Sequence, residues 1–392
     1  MNMKKILTIS TRIPAEGKKG YQVLSFHRLA HLARTHEIQV ICFGHSEDDL
    51  AAKFRLESLG ISVLMFRWNP LVAGLNVLRV LFDDDTPFQC VLFQAEDFRN
   101  AVMASLSQFQ PDVVYGVTIR TLGNLGGYKG PLIVDMVDSM ALNFSRRVAM
   151  ASGMSRFALN MEFQRVKEYE KQVAQWAMRS FVVSRVDQKV IGSDKVEVIP
   201  LGIDMQHFFK NSDVCIEPVV AFTGNMNYKP NAEAVLWFYR NCWDELRQVK
   251  PNVRLVIAGS NPTAEVVSLR SDSSVTVTGR VPSLAAIINT AQVSIAPMQS
   301  GSGMQFKILE AMACGVPVVA STLGLGDIAA VDGKDILLAD TPGLFAQAVI
   351  SLLQSEELRE NIGNSGMYYV IQNHSWDALN QHFEQSVIGE LR

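Results

Sequence analysis

Short apolar runs alternate with helix-periodic segments along the whole chain. The runs of the first half are rich in β-branched residues, which predicts buried strands. Helical patterns separate them, and the apolar residues of Tyr21–Arg34 fall on one face. Strands alternating with helices are typical of a parallel sheet covered on both faces. The predicted strands are Lys5–Ser10, Ile38–Phe43, Ile61–Phe66, Val113–Val117, Leu132–Met136 and Arg179–Ser184, and the further helices are Asp48–Leu59 and Asp97–Phe109.

The second half repeats this pattern. The junction falls near Val196–Asp204, where a strand meets proline and glycine, and the polar stretch Lys210–Asp213 follows. We therefore expect two Rossmann-like parallel-sheet α/β domains, at residues 1–198 and 199–374, which bind ligands beyond the carboxyl ends of their strands and face a common cleft. The predicted strands of the second domain are Val219–Thr223, Val253–Ala258, Val275–Thr278, Val293–Ala296, Val316–Ala320 and Asp335–Leu338.

The segment Pro297–Ser321 combines a glycine-rich loop with a helix. It reads PMQSGSGMQFKILEAMACGVPVVAS, so the helix that carries Lys307 and Glu310 follows a loop of small residues. The first N–H groups of a helix have no partner within it, and the helix dipole is positive there. Both features attract phosphate. The segment thus predicts a pocket that suits a nucleoside diphosphate.

Length and composition restrict the class of protein. With 392 residues, of which 48% are hydrophobic and 19% charged, the chain fits two packed domains and not a disordered protein. A net charge of −3 argues against a dedicated nucleic-acid binder, which needs a strongly basic face. We therefore expect no nucleic-acid partner.

The cysteines and the N-terminus indicate a cytoplasmic location. The five cysteines are widely spaced without a CxxC or His/Cys cluster, as expected of buried thiols in a reducing compartment. The apolar run after the N-terminal lysines is too short for a signal-peptide core. No run reaches the ~18–20 apolar residues of a membrane span.

Several motifs, taken together, resemble those of family 4 glycosyltransferases of the GT-B fold. They include VEVIPLGIDMQHF, AFTGNMNYKPN, VRLVIAG, VTVTGRV and FKILEAMACGVPVVAS, and the similarity extends over nearly the whole chain. It is closest to bacterial sugar transferases of exopolysaccharide and surface-polysaccharide assembly. The resemblance implies retaining transfer from a UDP- or GDP-linked sugar, with no cofactor and no divalent metal. It also implies that the first domain binds the acceptor, that the second binds the nucleotide sugar, and that a C-terminal helix at residues 375–392 packs back on the first domain.

The helix after the glycine loop supplies two candidate site residues. Glu310 is either a glutamate near a helix start, favoured by the dipole, or a carboxylate that accepts hydrogen bonds from the ribose hydroxyls. Its neighbours in KILEAMA match the donor-site helix of the family and favour the second interpretation. Lys307 is either an ordinary exposed lysine or a catalytic charge that stabilises the departing diphosphate.

The glycine loop departs from the family pattern at one position. Relatives usually carry a glutamate eight residues before Glu310, near the transferred sugar, whereas this chain has Ser302. Two interpretations follow. Either the backbone N–H groups of Gly301, Ser302, Gly303 and Met304 hold the sugar hydroxyls, or the protein is catalytically impaired; the otherwise intact loop favours the first.

Further donor contacts are expected after two other strands of the second domain. The family commonly has an arginine and a lysine after its first strand. Here Asn225 follows Gly224 in place of the arginine, and Lys229 retains a positive charge. Arg280, after a later strand, is either a solvated turn residue or a group that packs over the base or meets phosphate.

The first domain offers a loop and a carboxylate. The spacing of PAEGKKGY matches neither GxGxxG nor a Walker A loop, but the resemblance implies that this loop faces the donor phosphates and the acceptor, with Gly17 and Gly20 permitting close backbone approach. Asp138, in IVDMVDS, either caps a helix or lines the catalytic cleft. In the second case the resemblance gives it the role of orienting the acceptor.

A metal site is not expected. His27 and His31 lie four residues apart, a spacing that suits two ligands on a helix, but no third ligand is suggested nearby. We predict that these histidines lie on the surface or in helix packing.

Two segments suggest contact with a membrane surface. Residues 146–179 carry seven basic and three acidic residues among apolar ones, and Leu71–Phe82 is a second apolar stretch. Most such stripes face a core, but a positive segment also attracts anionic lipid. Peripheral contact with the inner face of the membrane would suit a lipid-linked acceptor.

The combined expectation is a metal-independent retaining glycosyltransferase that moves a sugar from a nucleotide sugar to a glycan or lipid-linked acceptor. Two alternatives remain open. One is a nucleotide-sugar epimerase of the same fold, and the other is a noncatalytic nucleotide-binding partner subunit.

Overall fold

The computed structural model of the chain describes residues 3–16, 20–80, 86–213, 217–300 and 305–389. These residues fall into two units. Unit 1 runs from the N-terminus to Leu201 and includes the chain from Leu379 onward, and unit 2 runs from Gly202 to Ala378. The predicted site residues Gly17, Gly301, Ser302, Gly303 and Met304 lie outside the described residues.

The sheet of unit 1 is parallel throughout its described strands. Its strands are β1 (Lys5–Ser10), β2 (Glu37–Phe43), β3 (Ser62–Phe66), β4 (Val113–Val117), β5 (Leu132–Val137), β6 (Arg179–Val182) and β7 (Val196–Val198). Strands β4 and β5 are buried over their whole length, which is why near-continuous apolar runs form them. The strand order β3-β2-β1-β4-β5-β6-β7 reverses direction between β1 and β4.

Helices connect these strands and cover the sheet. They are α1 (Tyr21–Leu32), α2 (Glu47–Glu57), α3 (Pro70–Val80), α4 (Phe88–Val91), α5 (Glu96–Gln108), α6 (Met140–Met150), α7 (Gly153–Trp176) and α8 (Arg185–Ile191), with a 3₁₀ helix at Ile119–Leu125. Several helices begin at serines whose hydroxyls accept a hydrogen bond from a first-turn N–H group that has no partner within the helix: Ser46 for α2, Ser139 for α6 and Ser184 for α8.

Unit 2 also has a parallel sheet. Its strands are β8 (Glu217–Thr223), β9 (Arg254–Ala258), β10 (Val275–Gly279), β11 (Ala291–Ala296), β12 (Val318–Ala320) and β13 (Leu337–Leu338). The order β10-β9-β8-β11-β12-β13 reverses between β8 and β11. The helices are α9 (Lys229–Val249), α10 (Ala264–Ser268), α11 (Leu284–Thr290), α12 (Phe306–Ala313), α13 (Thr322–Leu325), α14 (Pro342–Gln354) and α15 (Glu356–Asn373), with a 3₁₀ helix at Leu269–Ser271.

The last helix, α16 (Trp376–Ile388), buries its apolar side chains in unit 1 from Leu379 onward. The ring of Phe383 packs edge-on against Phe181, with centroids 4.9 Å apart. Glu384 Oε2 lies 2.9 Å from His31 Nε2, and Oε1 lies 3.1 Å from His36 Nε2. His31 therefore takes part in helix packing.

The fold class predicted from the sequence, two parallel-sheet α/β domains, is confirmed. The predicted strand boundaries differ by a few residues for identifiable reasons. The strand expected at Val316–Ala320 begins only at Val318, because Pro317 has no N–H to donate to a ladder. The strand expected to reach Ser184 ends at Val182, since Ser184 is the N-cap of α8.

No helix within the described ranges combines the length and the apolar character needed to cross a membrane.

Candidate functional site

The candidate site of unit 2 lies where its strand order reverses. In an open parallel sheet, ligands bind beyond the carboxyl ends of the strands at such a switch point. Gly224 follows β8 and Pro297 follows β11, the two strands that flank the reversal. Helix α12, which begins at Phe306, carries Lys307 in its first turn.

Lys307 is buried, with only 7% of its surface exposed. Its ammonium Nζ donates to Asn231 Oδ1 at 2.7 Å and to Gln305 Oε1 at 3.0 Å. A weaker contact reaches the Met298 sulfur at 3.7 Å, and the ring centroid of Phe222 lies 5.3 Å away. The interpretation of Lys307 as an ordinary exposed lysine is therefore wrong.

The electrostatics of this helix end are unusual. Burial lowers the pKa of Lys307 to about 8, partly opposed by the charge of Glu310. Burial also raises the pKa of Glu310 to about 7, against the opposing effect of Lys307. Among the described residues, the groups to which Lys307 donates are all uncharged. A buried ammonium held only by neutral acceptors is stabilised when an anion approaches it.

The loop after β8 is fixed by two glycines and Asn231. Gly224 and Gly259 have φ angles of 149° and 148°. A Cβ on Gly259 would lie 1.7 Å from the Gly224 carbonyl oxygen, so no side chain fits there. The Nδ2 of Asn231 donates to the Asn225 carbonyl at 2.9 Å. Asn231 thus holds both this loop and the Lys307 ammonium in place.

The other cations predicted for the donor site are exposed. The side chain of Lys229 is 85% exposed and its Nζ lies 3.4 Å from Glu233 Oε1, one turn along α9. Arg280 is also exposed. Asn225, the neutral residue predicted to contact the donor, is exposed too, and its Oδ1 accepts from the Asn227 N–H at 3.1 Å. Among the described cations predicted for the donor site, Lys307 is the one that is buried at the switch point.

A cavity of about 470 Å³ lies beside the first turns of α9. Its lining includes Asn227, Lys229, Glu233, Thr263 and Glu265. Positively and negatively charged side chains both line the cavity, whereas the acceptors around Lys307 are neutral. Lys307 is not among the residues that line this cavity.

In unit 1, the carboxyl ends of two neighbouring strands carry strained residues. Thr118, directly after β4, has φ 64°, and Val137, at the end of β5, has φ 68°. Positive φ is a genuine outlier for β-branched residues and costs roughly 1–3 kcal/mol each. Asp138 follows Val137 and is exposed, accepting from Asn143 Nδ2 at 2.7 Å. The N-cap of α6 is Ser139, so Asp138 does not have the capping role that was the alternative to a place in the site.

Two buried carboxylates hold this strained turn. Glu170 of α7 accepts from Ser139 Oγ at 2.8 Å and from the Met140 N–H at 2.6 Å. Asp187 of α8 accepts from the Ser139 N–H at 2.9 Å. Burial raises the pKa of Glu170 to about 7 despite these donors. Together the carboxylates satisfy N–H groups at the start of α6 and fix the position of Asp138.

Asp135 has a structural role instead. It is fully buried and forms an ion pair with Arg28, which is also buried, and accepts from the Tyr115 hydroxyl at 3.0 Å. The Arg28 guanidinium lies 4.2 Å from the ring centroid of Phe383 on α16. This core pair therefore supports the packing of the last helix on unit 1.

The loop after β1 is anchored from helix α1. Gly20 is the N-cap of α1 with φ 64°, a conformation that favours glycine. Gln22 is buried, and its Nε2 donates to the Ile13 carbonyl at 2.9 Å. The Ala15 N–H in turn donates to the Gln22 carbonyl at 3.1 Å, so the backbone before the predicted glycine loop is held at Ile13 and Ala15.

The partners of Lys307 and the carboxylates that hold the turn next to Asp138 were missed by reasoning from sequence. Neither Gln305, two residues before Lys307, nor Asn231, 76 residues before it, stands at a known motif spacing. Glu170 gave a usable signal, since Glu162, Val166, Glu170 and Val173 recur at helical spacing and are all buried. Glutamates on a buried stripe require hydrogen-bonding partners.

Among the described residues, no group of three or more His, Cys, Asp or Glu side chains could hold a metal ion.

Part of unit 2 matches the model of a known protein family. Residues 217–355 match the family model described as glycosyl transferases group 1. This range begins with β8 and extends beyond α14, so the matched segment contains Lys307, Asn231 and Glu310.

Particular relatives agree with this class. The chain is 26% identical over 220 residues to a D-inositol 3-phosphate glycosyltransferase of Segniliparus rotundus, covering 50% of this chain and 48% of that protein. It is 28% identical over 229 residues to a phosphatidyl-myo-inositol mannosyltransferase of Mycobacterium tuberculosis, covering 54% and 58%. The matches span about half the length of these curated relatives.

The fold of the whole chain also has solved counterparts. The structure of Anabaena HepE in complex with UDP superposes with a TM-score of 0.63 over 99% of this chain and 100% of that one, at 15% identity. The architecture is therefore that of GT-B glycosyltransferase structures.

Proposed function

We propose that the protein is a glycosyltransferase that moves a sugar from a UDP- or GDP-linked donor to a glycan or lipid-linked acceptor. The observation that carries this proposal is the Lys307 ammonium, buried at the switch point of unit 2 and held by the neutral acceptors Asn231 and Gln305. The family match of residues 217–355 and the UDP complex of HepE support a nucleotide donor.

The donor diphosphate would bind at Lys307. Two of the ammonium protons are directed to Asn231 and Gln305 at 2.7 and 3.0 Å, whereas the 3.7 Å contact to the Met298 sulfur is weak. A phosphate oxygen can replace that sulfur as the third acceptor. Glu310, one turn further along α12, would accept hydrogen bonds from the ribose hydroxyls, as its resemblance to the donor-site helix implies.

The reaction follows from this placement. The bond between the anomeric carbon and the β-phosphate oxygen breaks as the acceptor oxygen bonds to the same face of the sugar, which retains the configuration. The departing phosphate takes the acceptor proton, so no protein base is required. Lys307 stabilises the negative charge that develops on the diphosphate, and Asp138 on the strained turn of unit 1 orients the acceptor.

The proposal extends to the biological process. The sequence resemblance to exopolysaccharide and surface-polysaccharide transferases favours an acceptor of that kind. The mycobacterial relative, whose name describes a phosphatidyl-inositol substrate, favours a lipid-linked one. Both fit a metal-independent transferase of bacterial surface glycans.

An assay with a panel of UDP- and GDP-linked sugars tests the proposal. The purified protein is incubated with each labelled donor, with and without an extract of lipid-linked glycans, and the label and the nucleotide are followed separately. We expect acceptor-dependent release of nucleoside diphosphate and label in the acceptor, unchanged by EDTA. NMR of the product should show the anomeric configuration of the donor.

Variants and alternative outcomes make the test decisive. Lys307→Met should abolish transfer, whereas Lys334→Met, a change of an exposed lysine in the same unit, should not. Formation of an epimer without acceptor would identify an epimerase instead, and nucleotide binding without turnover of any donor would identify a noncatalytic subunit.

A further inference from the structure

The junction of helices α6 and α7 protrudes from unit 1. Helix α6 ends at Met150 and α7 begins at Gly153. Every residue from Ser152 to Ala158 is exposed. Because an α-helix completes a turn in 3.6 residues, six consecutive exposed helical residues show that no face of the start of α7 is buried. The junction is therefore a convex tip, which we call the α6–α7 tip (residues 146–158).

Large apolar side chains occupy this tip. Met150 is 90% exposed, Met154 84% and Phe157 69%. Met154 and Phe157 are three residues apart in α7 and so lie on neighbouring positions of one face. Single exposed apolar residues are ordinary, but three within eight residues on a protruding element form a cluster that needs a partner surface. The sequence pattern placed Phe157 on a core-facing stripe, and the structure corrects this.

The charge of the tip is entirely positive. Arg146, Arg147 and Arg156 are exposed, and no aspartate or glutamate occurs from Ser139 to Met161. The basic residues of the tip therefore have no acidic neighbour along the helices. Arginine side chains can extend their charged ends toward phosphate while their aliphatic stems lie along apolar surface.

We infer that the α6–α7 tip docks unit 1 on an anionic lipid bilayer. Exposed apolar side chains flanked by arginines are the composition that binds the boundary between headgroups and acyl chains. A convex tip suits a deformable, flat bilayer, whereas a protein partner would need a complementary groove. Long unbranched methionines can adapt to an irregular apolar environment. The inference does not rest on sugar transfer, because lipid binding is measured without donor or acceptor.

Vesicle flotation tests the inference. The full-length protein is mixed with vesicles of neutral phosphatidylcholine, or of phosphatidylcholine with about 30% phosphatidylglycerol, and the floated fraction is measured. We expect the protein to bind the anionic vesicles and to bind the neutral vesicles much more weakly. Changing Arg146, Arg147 and Arg156 to Gln should weaken partitioning by about fivefold per arginine.

The apolar part is tested by Met150→Ser, Met154→Ser and Phe157→Ser together. These side chains are exposed, so the variant should keep the melting temperature of the unmodified protein while its binding to anionic vesicles falls at least tenfold. The control is Tyr368→Ser, which changes a side chain 65% exposed on α15 of unit 2 and should leave flotation unchanged.

Three results would overturn the inference. The first is that the unmodified protein stays in the unfloated fraction with anionic vesicles at low salt. The second is that the triple serine variant floats as well as the unmodified protein. The third is self-association in light scattering that the triple serine variant abolishes, with no lipid binding, which would assign the tip to a protein interface.

Discussion

Raising the pH through about 8 should weaken the binding of a nucleoside diphosphate, because it neutralises Lys307. Burial lowers the pKa of this lysine to about 8, whereas an ordinary lysine titrates near ~10.4. Its charge is therefore present below pH 8 and is lost above it. The terminal phosphate of the nucleotide, with a pKa near ~6, is already ionised across this range.

The magnitude follows from the fraction of lysine that stays protonated. With a pKa of about 8, that fraction falls roughly tenfold between pH 7 and pH 9, since about nine-tenths is protonated at the first and one-tenth at the second. If only the ammonium binds phosphate, affinity falls by the same factor, about 1.4 kcal/mol. Lys307→Met removes the charged hydrogen bond altogether and should cost roughly 1.5–3 kcal/mol at pH 7.

Isothermal titration calorimetry with UDP and GDP from pH 6.5 to 9.5 measures both effects. We expect the unmodified protein to lose affinity above pH 8 and to approach the weak affinity of Lys307→Met. The reasoning would be refuted by an unmodified protein whose affinity stays constant to pH 9.5. It would equally be refuted if Lys307→Met bound as tightly as the unmodified protein at pH 7.

The other predictions concern the neighbours of this lysine and the turn of unit 1. Glu310→Ala should weaken UDP or GDP binding roughly 10- to 100-fold, and should reduce the preference for ribose over deoxyribose nucleotides; an unchanged preference in competition titrations would contradict the ribose role. Asn231→Asp places a carboxylate beside Lys307 Nζ, where Oδ1 now lies at 2.7 Å, and should move the pH midpoint of nucleotide binding upward by about one unit or more; the same calorimetric series shows it, and an unmoved midpoint would contradict it. For Glu170, whose pKa is raised from 4.5 to about 7, the folded state binds more protons between these values, so stability is lost as the pH rises from 4.5 to 7. Glu170→Gln should not show this loss of stability, which amounts to up to about 3 kcal/mol. Melting temperatures of the two proteins measured from pH 4.5 to pH 7 test this, and parallel curves would contradict it.

The sheets could be predicted from sequence because their strands are defined locally. Buried parallel strands such as β4 and β5 are continuous apolar runs, and the helices between them keep a 3.6-residue period. The observed strand ends differ from the predicted ones where a single residue changes the backbone hydrogen bonding, as at Pro317 and Ser184. Such boundaries depend on single donors and caps, not on the pattern of a whole segment.

The site was only partly predictable. Lys307 and Glu310 could be selected from their motif, but the burial of Lys307 depends on Asn231, 76 residues earlier in the chain. The turn after Val137 is held from α7, where Glu170 is about 30 residues from the Ser139 hydroxyl and the N–H groups of Met140 and Ala141 that donate to it. Contacts of this range arise from the topology of the fold and leave no local spacing in the sequence.

Phe157 illustrates the opposite failure. Its spacing with Met161 and Val166 predicts a core-facing stripe, yet Phe157 is 69% exposed and Val166 is fully buried. The periodic pattern continues past the point where α7 leaves the body of unit 1. Periodicity describes one face of a helix, but it does not show where the neighbouring element ends.

A crystal structure of the protein with UDP or GDP tests the central claim most directly. The account predicts a diphosphate oxygen within about 3.2 Å of Lys307 Nζ, in place of the Met298 sulfur, and ribose hydroxyls at the Glu310 carboxylate. A nucleotide bound elsewhere, for example in the cavity lined by Asn227 and Lys229, with Lys307 still bonded only to protein groups, would contradict it.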